Sequence, residues 1–376
     1  MKNPRFIVML LVILILVLSG FNADSKVIDK NIHSILVGVE YFNGWWPHSP
    51  YNEVHCFWES NDKDWRLDYP DRIPLLGEYN CQETMDKEIL AASEYGVDFF
   101  SILWYPMDSV NNGKIRDYLN AGVENFMNSP NSNRMNFMIE IANHDPNAII
   151  TDADWDKCID VCVKSMKHPS YLRIDGRAVV KIHGGDQFLR DNGFSVERSK
   201  QVLQRFRKRA KDEGAGELLI NVGNYSEKPV NRNHKFSLIG EIDGTMQYNA
   251  LPNVIKKETD YPYEEMTELA KKTREVRKND IIDWVPYFPA GWNPRPWNDS
   301  RASFSLPTRK QWRKGLEELK ADILKYSNFG FPKKDGSTQK AFTIYAWNEF
   351  GEGGIVAPTR GDQYMKLEEI KNVFGN

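Results

Sequence analysis

The chain has 376 residues, with 49 Lys plus Arg against 52 Asp plus Glu, a formal charge of −3. Hydrophobic residues at 41% and charged residues at 27% describe an ordinary globular protein, and the near-neutral balance excludes bulk electrostatic capture of nucleic acid or an anionic membrane. Aromatic residues at 12%, including 11 Trp and 16 Tyr, exceed what a core needs and point to flat surface kept for a ligand.

The chain opens with Lys2 and Arg5, then an apolar run from Phe6 to Leu18, then Ala23-Asp24-Ser25. A charged start, a short apolar stretch and small residues read as a secretory signal peptide over residues 1–25. The run is too short to span a bilayer. The expectation is a secreted or periplasmic protein whose domain covers 26–376, with a retained N-terminal anchor as the alternative. Export permits disulfides. Cys56 and Cys81 are able to pair, whereas Cys158 and Cys162, four apart on a predicted helix, read as buried thiols.

Apolar runs then alternate with amphipathic stretches. Strands are predicted at 35–42, 97–105, 136–144, 178–184, 217–224, 244–249, 284–292 and 341–350. Many are continuous Val, Ile, Leu and Phe, as in strands buried on both faces. Helices are predicted at 82–95, 115–127, 155–166, 196–213, 263–276, 309–326 and 363–374, with Asp154, Ser195 and Thr308 as N-caps. The stretch after the fifth strand gives no clear helix. Eight strands with helices between them predict an α/β fold, a (β/α)8 TIM barrel in one domain. An open doubly wound sheet is the alternative. It lacks support because Asn43-Gly44-Trp45-Trp46-Pro47 replaces the Gly-rich phosphate turn after strand one.

A barrel does its chemistry at the C-terminal strand ends. In chain order those ends supply Tyr41, Trp45 and Trp46; Trp104 and Tyr105; Glu140 and His144; His183; Asn224; Tyr248; Trp292 and Arg295; and Trp347, Asn348, Glu349 and Glu352. Aromatic rings, amides and carboxylates with few cations suit a neutral, hydroxyl-rich ligand, so a carbohydrate is the expected partner. No cofactor and no metal are expected. Trp155 and Trp312, on helices, read as core.

Glu349 and Glu352 stand out. Glycosidic hydrolysis requires one carboxyl to protonate the leaving oxygen and a second to act as base or nucleophile. Glu349 follows a strand run, and Glu352 lies three residues on, in a turn bracketed by Gly351 and Gly353. Two carboxylates close together in a cleft keep one proton at neutral pH, as an acid requires.

The stretch Tyr345-Ala346-Trp347-Asn348-Glu349-Phe350-Gly351-Glu352-Gly353, with Ile355 and Pro358 after it, resembles the WNEW-x-EG motif of glycoside hydrolase family 99 and its WbsX-type relatives. Gly38 to Trp46, Pro74 to Gly77 leading to Gly96 to Phe100, and Pro289 to Arg295 resemble further segments of the WbsX-type proteins. The resemblance implies a metal-free (β/α)8 barrel and cleavage of an α-mannosidic bond with retention. It implies Glu349 as the base on the sugar 2-hydroxyl, which attacks its own anomeric carbon. It implies Glu352 as the acid/base on the leaving group. Phe350, Gly351 and Ala357 depart from the family pattern of Trp, His and an acidic residue. The alternatives are a non-catalytic carbohydrate-binding barrel and a metal-dependent hydrolase built on His144 with Asp145 or His183 with Asp186.

Overall fold

The computed structural model describes residues 34–46, 57–60, 63–106, 117–144, 147–225, 229–249 and 259–375. The predicted signal segment and Cys56, and with it the Cys56–Cys81 pairing, lie outside the described residues. Cys81 is exposed; Cys158 and Cys162 are buried. No described helix is long and apolar enough to cross a membrane.

Eight parallel strands form a barrel: β1 (Leu36–Tyr41), β2 (Phe99–Trp104), β3 (Asn136–Ile141), β4 (Arg177–Ile182), β5 (Leu218–Gly223), β6 (Gly244–Met246), β7 (Asp283–Val285 and Tyr287–Pro289) and β8 (Ala341–Tyr345). Each pairs with its neighbour in sequence, and β1 pairs with β8 in the register Leu36↔Ala341. Closure runs through β7, which Pro286 divides in two. Asp283–Val285 pairs with β6, and Tyr287–Pro289 pairs with β8. Proline has no N–H to give a ladder, so a break there is the expected physical outcome. The Pro286 carbonyl still accepts from the Thr343 N–H at 2.9 Å. Nearly every strand residue is buried, because the barrel interior fills one face and the helices cover the other.

The helices are α1 (Gln82–Glu94), α2 (Ala121–Asn128), α3 (Asp152–Met166), α4 (Gly185–Asp191), α5 (Val196–Asp212), α6 (Pro229–Ile239), α7 (Tyr263–Arg277), α8 (Arg309–Lys325) and α9 (Met365–Phe374). The one that sequence left unplaced after strand five is α6. Ser195 caps α5, and Thr308 caps α8 in a full capping box with Gln311. Asp154 is not the cap of α3. Thr151 is, and its hydroxyl accepts from the Asp154 N–H at 3.2 Å. The basic face of α5 is a structural zipper: Arg198, Arg205 and Arg209 pair with Asp152, Asp156 and Asp160, spaced one turn apart on α3. Trp155 and Trp312 are core, as expected.

Candidate active site

At the C-terminal end of the barrel a cleft of about 860 Å³ opens. Phe42, Phe57, Leu103, Tyr105, Trp292 and Trp297 give it aromatic and apolar walls. Its polar lining includes His144, Asn147, His183, Tyr248, Asn249, Arg301, Tyr345, Glu349 and Glu352.

Both glutamates come from one turn. Asn348–Glu349 pairs antiparallel with Gly354–Ile355, and the Glu349 carbonyl accepts from the Glu352 and Gly353 N–H groups at 3.2 and 2.8 Å. Gly353 has φ of +81°, the left-handed region that side chains rarely enter. A Cβ on Gly351 would sit 2.2 Å from the Trp297 indole. The two glycines thus fold the turn and let the cleft wall approach it. Arg72 clamps the turn from behind, donating from one guanidinium nitrogen to the Phe350 and Asn293 carbonyls at 3.0 Å each.

Each glutamate has its own tyrosine. Tyr248 donates to Glu349 Oε1 at 2.5 Å, and Tyr345 donates to Glu352 Oε2. Arg301 reaches Glu352 Oε1 at 3.5 Å, but its Nε is held by Asp299 at 2.7 Å and its guanidinium lies over the Trp292 ring at 4.5 Å. Burial, then the charge of Glu352, pushes the Glu349 pKa well above the usual carboxylate range, although Tyr248 opposes the shift. Burial raises Glu352 as well, against the pull of Tyr345 and Arg301. The pair therefore retains a proton near neutral pH. Burial and the facing glutamates raise both tyrosine hydroxyls, so Tyr248 and Tyr345 stay neutral donors.

Of the residues that sequence placed at the mouth, Tyr105, His144, His183, Tyr248, Trp292, Glu349 and Glu352 line the cleft. The others are drawn into its supporting wall. Tyr41 donates to Glu88 Oε2 at 2.7 Å and Trp347 donates to Glu88 Oε1 at 2.9 Å, so both rings face α1 rather than the cleft. Trp45 is buried and gives its indole N–H to the Asn348 carbonyl at 2.7 Å. The Asn348 amide clasps the backbone of Phe42 on both its N–H and its carbonyl, at 2.8 Å each. Trp46 bonds the Asn43 carbonyl at 3.1 Å, and Trp104 is buried in the core. The Asn224 side chain bonds Asn233 at 2.6 Å, while its carbonyl accepts from Arg277. Arg295 holds the carbonyls of Asp299 and Arg301, ordering its own loop. Glu140 is fully buried beneath the cleft floor. Apart from Trp104, which is simply packed in the core, each of these gives its polar tip to a partner within the fold.

Several residues were missed. Tyr345 lies inside the β8 apolar run and reads as core. Arg301 and Asn147 sit in loops without a pattern. Lys181 carried a usable signal: it is the lone charge between Val180 and Ile182 in a buried strand. Phe350, at the position of the family tryptophan, stacks on Trp58 at 5.5 Å within a cluster that includes Trp45 and Trp65. Among the described residues, no three His, Cys, Asp or Glu side chains gather as a metal site would require. Asp186 is engaged by Arg232 at 2.6 Å, and Asp145 lies outside the described residues.

The model of the family described as Glycosyltransferase WbsX matches residues 69–370. No curated protein matches the chain. Two solved structures of the GH99 endo-alpha-mannosidase from Bacteroides thetaiotaomicron, one in complex with BIS-TRIS propane, are similar to it. Each has a TM-score of 0.55 and 15% identity, covering 90% of this chain and 95% of the mannosidase chain. At that identity the likeness is one of fold.

Proposed function

The chain belongs to the family described as Glycosyltransferase WbsX, and from that premise we propose that it is a glycoside hydrolase whose catalytic pair is Glu349 and Glu352. One observation carries the reading. Two carboxyls from a single turn face one aromatic-walled cleft, each accepting from a neutral tyrosine donor and each raised by burial. A proton held on one carboxyl while its neighbour ionises is what acid–base cleavage of a glycosidic bond needs.

Following the family motif, Glu349 takes the proton of the sugar 2-hydroxyl, and that oxygen attacks the anomeric carbon. Glu352 gives its proton to the departing oxygen. Water then opens the strained intermediate, with Glu352 taking the water's proton and Glu349 returning its own to the 2-oxygen, and the anomeric configuration is retained. Tyr248 steadies the Glu349 carboxylate before it takes the proton, and Tyr345 steadies Glu352 after it has lost its own. The substrate class is an α-mannoside or a related neutral glycan. Among the described residues lining the cleft, Arg301 is the one Lys or Arg, and Asp299 and Glu352 already engage it. That lining favours hydrolysis of a neutral glycan over use of a diphosphate-linked sugar donor.

The test is a polysaccharide panel that includes α-mannans, with products read by mass and by anomeric NMR. Release of a fragment with retained configuration is expected. Inversion would remove the 2-hydroxyl route, and binding without any product would make the protein a carbohydrate-binding barrel.

A further inference from the structure

Beneath the cleft floor lies a second set of ionisable groups. Glu40 on β1, Glu140 on β3 and Lys181 on β4 are fully buried inside the barrel. Lys181 Nζ is 2.7 Å from Glu140 Oε1 and 3.2 Å from Glu40 Oε1. Ser101 donates to Glu140 Oε2 at 2.9 Å. His183, the residue just past β4, brings Nδ1 to 2.6 Å from Glu140 Oε1 and lines the cleft above.

These groups settle their charges among themselves. A buried ammonium needs a carboxylate, and the shorter contact selects Glu140. Burial works to raise the Glu140 carboxyl, but Lys181, with help from the bonds to Glu40 and His183, outweighs it and holds Glu140 well below the usual range. Glu40 goes the other way, raised by burial and by the charge of Glu140. Glu140 is therefore an ionised, acceptor-only group, so the hydrogen in its bond with His183 belongs to Nδ1. Burial, with Lys181 and His144 nearby, lowers the His183 pKa even against Glu140, and the ring stays neutral. A neutral imidazole protonated at Nδ1 has a bare lone pair on Nε2. Because Nδ1 is committed to Glu140, Nε2 is the one ring nitrogen that His183 offers to the cleft.

We propose that His183 Nε2 is a hydrogen-bond acceptor for a free hydroxyl of the bound glycan, held in that tautomer by the Glu140–Lys181 pair below it. The proposal rests on the glycan reading of the cleft and narrows it. The ring is fenced by Tyr225, Tyr248 and His144 at centroid distances of 5.5, 5.3 and 5.3 Å, so it has little freedom to turn over. A sugar hydroxyl donates to Nε2. A carboxylate, a sulfate ester or an acylated oxygen at the same point presents only acceptors, meets the lone pair and is refused. His183 would thus select the substituent pattern of one sugar, close to the Tyr248–Glu349 pair.

The test is a long-range proton–nitrogen NMR spectrum of the full-length protein labelled with nitrogen-15 histidine, at pH 7.5. The His183 signals are identified by their loss in His183→Gln. A hydrogen on Nδ1 with an unprotonated Nε2 is expected; an Nε2–H tautomer or an imidazolium would overturn the proposal. α-Mannan oligosaccharides are then titrated into the Glu352→Gln protein. A shift of the Nε2 resonance at saturation is expected, and an unmoved resonance with ligand bound would overturn it. In kinetics, His183→Ala is expected to lose about tenfold to a hundredfold in kcat/KM, the worth of one hydrogen bond from a ligand hydroxyl. His183→Gln, whose amide oxygen accepts, should recover part of that loss. If no oligosaccharide binds, the glycan reading falls, while the tautomer still decides which polarity His183 presents.

Discussion

Tyr248 and Tyr345 meet edge to face, with ring centroids 4.9 Å apart, while their hydroxyls go to different glutamates. One aromatic contact therefore fixes the spacing of two hydrogen-bond donors, and through them the two carboxyls. β8 supplies Tyr345 and the loop after β6 supplies Tyr248, so the pair ties the two strand ends that flank β7 together.

Tyr248→Phe and Tyr345→Phe keep that ring contact and delete the donors. A hydrogen bond to a charged group is worth about 1.5–3 kcal/mol, so each change should lower kcat about tenfold to a hundredfold. The melting temperature should move little. The double variant should fall short of the product of the two losses, because the carboxyls act as a unit. Steady-state kinetics beside thermal unfolding checks both points.

Arg301→Met should move the alkaline limb of the kcat/KM profile to higher pH. Arg301 favours the ionised form of Glu352, so its removal raises that carboxyl and preserves the acid over a wider range. Methionine keeps the packing on Trp292. A downward move of that limb would mean that Glu352 is not the group titrating there.

Gly351→Ala and Gly353→Ala should separate activity from stability. The first drives a methyl into the Trp297 indole, and this half-buried ring has room to give way, so the cleft wall shifts while the fold survives. The second forces a side chain into left-handed backbone and costs about 1–2 kcal/mol. Melting temperature should fall for Gly353→Ala, and kcat should fall for both.

Glu88→Gln should gain stability relative to the wild type as pH rises from 4.5 to 8. Burial pushes the Glu88 pKa up to about 7, against the bonds from Tyr41 and Trp347. A carboxyl raised in the folded state contributes most below its unfolded pKa and loses that contribution as pH climbs through the folded value. Between about pH 4.5 and 7 the wild type should therefore lose ground to Glu88→Gln, by about 3 kcal/mol once the carboxyl is fully ionised. Denaturant titrations of both proteins at pH 4.5 and pH 8 measure the difference. A difference between the two proteins that is the same at pH 4.5 and pH 8 would show that Glu88 is ionised at no cost.

The barrel was legible because a parallel strand buried on both faces leaves a continuous apolar run, and eight of these recur along the chain. The break at Pro286 was legible in principle, since proline cannot serve a ladder from its nitrogen. That Glu349 and Glu352 share one turn facing the cleft was legible from their glycine-bracketed spacing together with the motif resemblance. What sequence could not supply was direction. Tyr41, Trp45, Trp347 and Asn348 sit at strand ends like Tyr248 and Trp292, yet Glu88 on α1 claims the polar atoms of Tyr41 and Trp347, the Asn348 carbonyl that of Trp45, and the backbone of Phe42 the Asn348 amide. Those partners lie 47 to 306 residues away in the chain, so no local pattern announces them. Tyr345 went unseen for the opposite reason, being one aromatic in an apolar strand whose hydroxyl alone matters.

The central claim is that Glu349 and Glu352 together break a glycosidic bond. Its most direct test is product release from one cleaved glycan by wild type, Glu349→Gln and Glu352→Gln at equal protein concentration, with binding of the same glycan measured by calorimetry. The account predicts that both variants bind and that each releases product at least a hundredfold more slowly, about 2.7 kcal/mol of transition-state stabilisation lost. Full activity in either variant would contradict it.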